Sequence, residues 1–224
     1  MKTQLLSFKK SGLTRSEWQK LKKLSTPAKI QDFLNSIPFN FEKRPARHGS
    51  AEGESGGGET HHSPRLALKS GQAHCFEGAL IAATALWIQG REPLLLDLKT
   101  ARPDLDHVVA LFKEGKHWGA ISKTNHAVLR YREPVYRSVR ELAMSYFHEY
   151  FLNNGKKTLR SFSKPFDLSK LGTNWITTEE NLADLAYTLD ISPHSNILSP
   201  KQVRNLRKAE KIETQAGKIT EYLL

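Results

Sequence analysis

One thiol offers this chain a candidate nucleophile. Cys75 is the sole cysteine, in the stretch Ser70-Gly71-Gln72-Ala73-His74-Cys75-Phe76-Glu77. The Ala-rich run that follows is apolar nearly all round. It predicts a buried, central helix over residues 73–89, closed by Gly90. Cys75 then falls in the first turn. A helix N-terminus carries partial positive charge and unpaired N–H groups. These favour the thiolate, which is the nucleophilic form, and they stabilise the oxyanion formed when a carbonyl is attacked. The alternative is a cysteine that acts only as a small buried hydrophobe.

A nucleophilic thiol needs a base. His74 is adjacent, but successive helical positions diverge by about 100°, so it is expected to face elsewhere. His107 is the better candidate. Residues 107–112 and 117–122 read as two strands of a hairpin, separated by Lys113-Glu114-Gly115-Lys116. With Glu114-Gly115 as a two-residue loop, Lys113 faces Lys116 and His107 falls opposite Ser122. His107, Val109 and Leu111 then share a face with Ser122, Ala120 and Trp118.

These residues carry a resemblance. The stretches SGQAHCFEGALIAATALWIQG, DHVVALF and GKHWGAIS resemble the transglutaminase-like branch of the papain-like cysteine hydrolase superfamily. That branch has a Cys at a helix start, a His opening a later strand, and a Trp-containing strand ending in Asp. The counterparts are Cys75, His107 and the Trp118 strand, within about residues 63–125. The resemblance implies acyl transfer or amide hydrolysis through a Cys–His pair. Its substrate would be a protein, a peptide, or a small amide or thioester. Two departures stand out. The lead into the cysteine is longer by two residues, and Ser122 occupies the position of the orienting Asp. A serine hydroxyl is expected to accept the Nδ1–H bond of the imidazole but supplies no charge. Asn125 is the second candidate for the third role, as in papain-like relatives, and Asp104 the third. Segments such as TPAKIQDFLNSIPFNFE and SKTNHAVLRYREPVYRSVRELAMSYFHEYF also resemble an uncharacterised bacterial protein group, which implies no activity.

Gln72 precedes the thiol and is a candidate oxyanion donor, its other reading being a loop hydrogen bond. Trp118 is a candidate site wall, or simply core. Glu77, early in the same helix, would need a partner if buried, and Arg65 and Arg91 are the candidates.

The elements around these residues suggest an α+β fold. Its core would be of papain-like or transglutaminase type. A central Cys-bearing helix would pack on a small antiparallel sheet, flanked by N- and C-terminal helices. Thr14-Arg15-Ser16-Glu17 has capping-box form ahead of Trp18, Leu21 and Leu24. Ser25-Thr26-Pro27 starts a second helix with the stripe Ile30, Phe33, Leu34, Ile37. Leu94 to Leu98 reads as a buried strand, and Ala127 to Tyr131 as a third meander strand. Val139 to Phe151 reads as one amphipathic helix closed by Asn153-Asn154-Gly155, and Thr178 begins another helix running through Leu189. The whole chain is expected to form one domain with its core at about residues 63–190. Residues 48–62 would be a flexible Gly-rich loop.

Composition narrows the function classes. The net charge is +11, yet residues 1–47 hold eleven Lys/Arg against three Asp/Glu, and residues 199–224 hold six against three. Residues 48–198 hold seventeen of each and are neutral. The excess therefore belongs to the basic N-terminal helices and to a basic C-terminal helix or tail. It supports a nucleic-acid-associated reading only weakly, with no aromatic-interleaved basic stripe. With one cysteine, an intramolecular disulfide and a Cys-rich zinc site are excluded. No run is long and apolar enough for a membrane span, and the basic start is too short in apolar residues for a secretory signal. The chain is expected to be cytoplasmic and to need no cofactor or metal. A catalytically inactive binding module on the same fold is the alternative to the enzyme.

Overall fold

The computed structural model describes residues 5–41 and 60–222. The Gly-rich stretch, apart from residues 60–62, lies outside them. The chain forms α1 (Phe8–Ser11), α2 (Arg15–Lys23), α3 (Pro27–Ser36), α4 (Pro64–Ser70) and α5 (Cys75–Ile88). The strands β1 (Leu94–Thr100), β2 (His107–Glu114), β3 (His117–Ile121) and β4 (Arg132–Tyr136) follow. Then come α6 (Val139–Ser145), β5 (Leu159–Ser163), β6 (Phe166–Asp167), α7 (Ala183–Asp190), β7 (His194–Asn196), α8 (Pro200–Arg204) and α9 (Lys211–Gly217). The fold is α+β, with the Cys-bearing helix packed on an antiparallel sheet and helices at both ends of the chain.

The predicted N-terminal signals operate as read. Thr14 and Glu17 form a reciprocal capping box, and Thr26 caps α3 ahead of Pro27. α5 starts two residues later than predicted, because His74 has extended backbone and acts as the cap. Every residue of α5 after Cys75 is buried, which explains its lack of a polar face. At Gly78 the helix passes so close to the chain after β3 that a Cβ would lie 2.4 Å from Cβ of Lys123.

The sheet runs in the order β4-β3-β2-β1-β5-β7, with β6 also paired to β1. It is larger than the three-stranded meander of the sequence reading. The extra strands come from the C-terminal third, where short polar segments such as His194–Asn196 carry no alternating pattern. Both faces of the sheet are covered. Leu95, Val108, Ala110, Phe112 and Ile121 pack with α5, whereas Leu96, Leu98, Val109, Leu111 and Ala120 pack with α6, Tyr146 and Tyr150. A strand buried on both faces reads as a continuous apolar run, as β1 and β2 do.

Three predicted elements are displaced. Residues 127–131 form a loop in which Leu129 has a left-handed backbone, φ 61°, and the strand lies at Arg132–Tyr136. The helix from Val139 ends at Ser145 and continues as a 3-10 turn, Phe147–Glu149. The helix expected from Thr178 begins at Ala183.

The hairpin register also differs. Glu114 pairs with His117 and Ala110 with Ile121, so the loop is Gly115-Lys116, with Gly115 at φ 58°. Glycine takes this positive φ at little cost, and a hairpin loop demands it. The shift is two residues. Because side chains alternate with period two, an even slip leaves every residue on its assigned face.

Candidate active site

The site lies where α5 begins beside the start of β2. His107, the first residue of β2, is buried at 6% exposure. Continuing the observed register places Ser122 opposite Val109, so His107 is its diagonal neighbour, within reach of a long side chain. The contact forms: His107 Nε2 lies 2.8 Å from Ser122 Oγ.

The direction of that bond follows from the next one. Ser122 Oγ donates to the Leu129 carbonyl at 2.6 Å. A hydroxyl has one proton, and a carbonyl only accepts. Ser122 must therefore accept at its other contact, and His107 donates Nε2–H rather than the expected Nδ1–H, because Nε2 is the nitrogen that faces Ser122. Nδ1 is then the nitrogen left for the thiol. The Leu129 carbonyl is held in turn by the left-handed turn, whose N–H donates to Glu149 Oε2 at 2.7 Å. That same carboxylate oxygen is 2.7 Å from Arg132 Nη2.

Cys75 is half-buried. Burial alone would push its thiol up, but hydrogen bonding to the His107 and His74 rings, with their charge, holds it well below the usual thiol range. His74, expected from the sequence to face elsewhere, also reaches the thiol. The 100° rule applies between helical residues, and His74 is not one. Its cap backbone, φ −92° and ψ −172°, turns the ring back over the first turn. There Nε2 lies 2.5 Å from the Thr60 carbonyl and 3.6 Å from Glu77 Oε1. With the ring neutral, Nδ1 accepts from Phe76 N–H at 3.3 Å; the charged ring hydrogen-bonds the thiolate. Burial opposes that charge, yet the thiol and the Glu77 carboxylate outweigh it and raise His74 to about 9.

Glu77 is fully buried but pairs with neither arginine proposed from the sequence. Arg65 meets Glu17 and Arg91 meets Glu114. Glu77 instead accepts from the backbone N–H of His74 at 3.0 Å and of His62 at 3.1 Å, and from Asn40 Nδ2 at 3.0 Å. Its Oε1 is 2.9 Å from His62 Nδ1. A single carboxylate thus ties the start of α5 to both sides of the Gly-rich stretch.

The structure brings Cys75, His107 and Ser122 together and leaves other candidates apart. Both ends of the Asn125 amide are bound to the Tyr222 backbone, at 2.9 Å each, so that side chain clamps the C-terminal segment rather than orienting His107. Asp104 accepts from the Thr158 hydroxyl. Trp118 pairs with Lys113, six residues along β2 from His107, or about 20 Å. It stacks under the Lys113 ammonium, 4.1 Å from the ring centre, and lines a cavity of about 210 Å³ with Arg91 and Leu94. Trp118 therefore walls a different surface. Gln72 stands half-buried in the turn before Cys75, its carbonyl accepting from Ser70 Oγ at 3.3 Å.

No protein-family model matches the chain, and no curated protein does. Among solved structures, the chain is similar to LapG of Legionella pneumophila in an EGTA-treated form. The identity is 13% and the TM-score 0.41, over 75% of this chain and 94% of that one. This is a distant likeness, and the functional reading of the site rests on the residues described above.

Proposed function

We propose that the protein is a cysteine-nucleophile acyl-transfer or amide-hydrolysing enzyme, with Cys75 as nucleophile and His107 as its proton carrier. The observation that carries this reading is the bond chain from His107 through Ser122 to the Leu129 carbonyl. It sets the one tautomer that leaves Nδ1 available to the thiol. In the familiar triad an aspartate fixes the tautomer from the other nitrogen, through Nδ1–H, and also stabilises the imidazolium. Here a neutral hydroxyl supplies the orientation, while the second imidazole, His74 backed by Glu77, adds charge beside the thiolate.

The chemistry follows from these positions. The Cys75 thiolate attacks a carbonyl of a peptide, small amide or thioester, forming an S–C bond. The displaced electron pair on oxygen is stabilised by N–H groups of the α5 first turn, with Gln72 as a further donor. For an amide, collapse breaks the C–N bond as His107 delivers its Nδ1 proton to the departing amine. Water or an amine then attacks the thioester, His107 takes the proton, and the thiolate leaves.

The test is the pH dependence of iodoacetamide alkylation. The rate should follow a thiol titrating well below the ordinary value of about 8.5. His107→Ala should move that titration upward, because it removes a hydrogen bond and a positive charge. A wild-type thiol that titrates near the ordinary value would instead indicate a binding module with an inert cysteine.

A further inference from the structure

The residues just after β3 hold a distant segment of the chain by its backbone. Ala127 N–H donates to the Ile219 carbonyl at 2.9 Å, and Glu221 N–H donates to the Asn125 carbonyl at 2.8 Å. Between them, His126 and Thr220 form an antiparallel bridge. The Asn125 side chain, 5% exposed, extends the pairing. Its Nδ2 donates to the Tyr222 carbonyl and its Oδ1 accepts from Tyr222 N–H, both at 2.9 Å. Each of these bonds ends on the main chain of residues 219–222. An extended peptide of another sequence offers the same donors and acceptors, which is how strand addition recognises a chain.

The segment that fills this edge has a thin anchor. No residue from Glu210 to Tyr222 is buried, and Ile212 and Ile219 are largely exposed. Its side-chain contacts include a surface ion pair of Glu221 with Arg130 at 3.3 Å, a type of contact worth little. The Tyr222 ring centre lies 5.9 Å from Lys123 Nζ. A segment with no buried apolar side chain opens locally at well below the cost of global unfolding.

The edge also adjoins the candidate site. Asn125 is three residues after Ser122, at most about 11 Å along the chain. Lys123, between them, is pressed against Gly78 of α5, three residues after Cys75.

We propose that residues 125–127 are a docking edge for an extended polypeptide, and that residues 219–222 occupy it as a built-in competitor. The edge stands on its own hydrogen bonds. Its use in catalysis rests on the reading of Cys75 as nucleophile, and it then makes the substrate a polypeptide rather than a small amide or thioester. The polypeptide pairs beside the turn that carries Ser122, and the segment must leave before it binds. A tethered occupant competes at an effective concentration on the order of millimolar, so the wild-type chain takes up free peptide weakly.

The probe is a fluorescein-labelled, C-terminally amidated peptide of residues 217–222, Gly-Lys-Ile-Thr-Glu-Tyr, followed by fluorescence anisotropy with the full chain. Glu221→Pro combined with Tyr222→Pro removes two N–H donors from the tethered segment and leaves the edge itself unchanged. This variant should bind the peptide at least about tenfold more tightly than wild type. A peptide N-methylated at its glutamate and tyrosine nitrogens should bind the variant at least about tenfold more weakly than the plain peptide. Equal binding by variant and wild type, or binding by neither, would overturn the built-in competitor. Equal binding of plain and methylated peptides would overturn the edge. Hydrogen exchange of the wild-type chain needs no variant. The Glu221 and Tyr222 amides should exchange at least about 100-fold faster than those of β1 and β2, and exchange as slow as theirs would show a segment that never leaves. Iodoacetamide alkylation judges the nucleophile separately: an inert thiol in a protein whose variant binds the peptide would remove the catalytic use and keep the edge.

Discussion

At the scale of single residues, one proton on Ser122 fixes the hydrogen bonding of the candidate site. It is committed to the Leu129 carbonyl, so the serine accepts from His107 and sets its tautomer. This also argues that a carboxylate would not improve the site. Ser122→Asp would place an acceptor-only group against the Leu129 oxygen, now 2.6 Å from Ser122 Oγ, and both oxygens would lack a proton between them. We expect Ser122→Asp to destabilise the protein by about 1–3 kcal/mol and to acylate with p-nitrophenyl acetate no faster than wild type. Ser122→Ala should acylate about 10- to 100-fold more slowly, because His107 loses its orienting partner. Stopped-flow acylation and urea unfolding measure the two effects. A faster, equally stable Ser122→Asp variant would refute the proton assignment.

The element that carries the site is the first turn of α5, assembled around the capping residue His74 and the buried Glu77. The reciprocal bond between His74 N–H and Glu77 is an ordinary capping box in form, but Glu77 also collects Asn40 and His62. The other half of the site rests on the turn after β3, where the C-terminal segment returns. His126 bridges to Thr220, and Asn125 holds Tyr222 by both ends of its amide. We expect Asn125→Ala to lower stability by about 1–2 kcal/mol through the loss of two hydrogen bonds, with no change in the alkylation pH profile of Cys75. An upward shift of that profile in Asn125→Ala would assign Asn125 a part in holding the thiolate. Capping and spacing rules were enough to place α2, α3 and α5 from the sequence. The strands at Arg132–Tyr136 and His194–Asn196 were missed because their pairing is decided by partners distant in sequence.

For the molecule as a whole, the sheet buries charge in its middle. Asp97, on β1, is 3% exposed and lies 3.1 Å from His194 Nε2. Burial and the nearby Asp106 carboxylate push it up to about 7, against the pull of His194, while Asp190 adds to the rise. Asp190 is in turn paired with Lys99. The folded state therefore holds this proton over a range where the unfolded chain releases it. The stability that it contributes is complete below about pH 4, where both states are protonated, and is lost as pH rises through about 7. We expect the thermal midpoint to fall between pH 4 and 7 and the fall to be smaller in Asp97→Asn. Parallel profiles for the two proteins would show that another group sets the dependence.

The sequence alone determined the thiol at a helix start, the imidazole at a strand start and the neutral middle of a basic chain. These follow from local rules: capping, period-two alternation and charge counts. Even a hairpin loop misplaced by one residue kept His107 and Ser122 on one face, because the register error was even. Tertiary structure decided what touches the thiol and the imidazole. His74 joins the site through the extended backbone of a cap, and Ser122 works because a left-handed turn at Leu129 offers it an acceptor. Glu77 finds its partners across 37 residues to Asn40. Hydrogen-bond direction and burial depend on groups brought together by folding, and no local pattern encodes them.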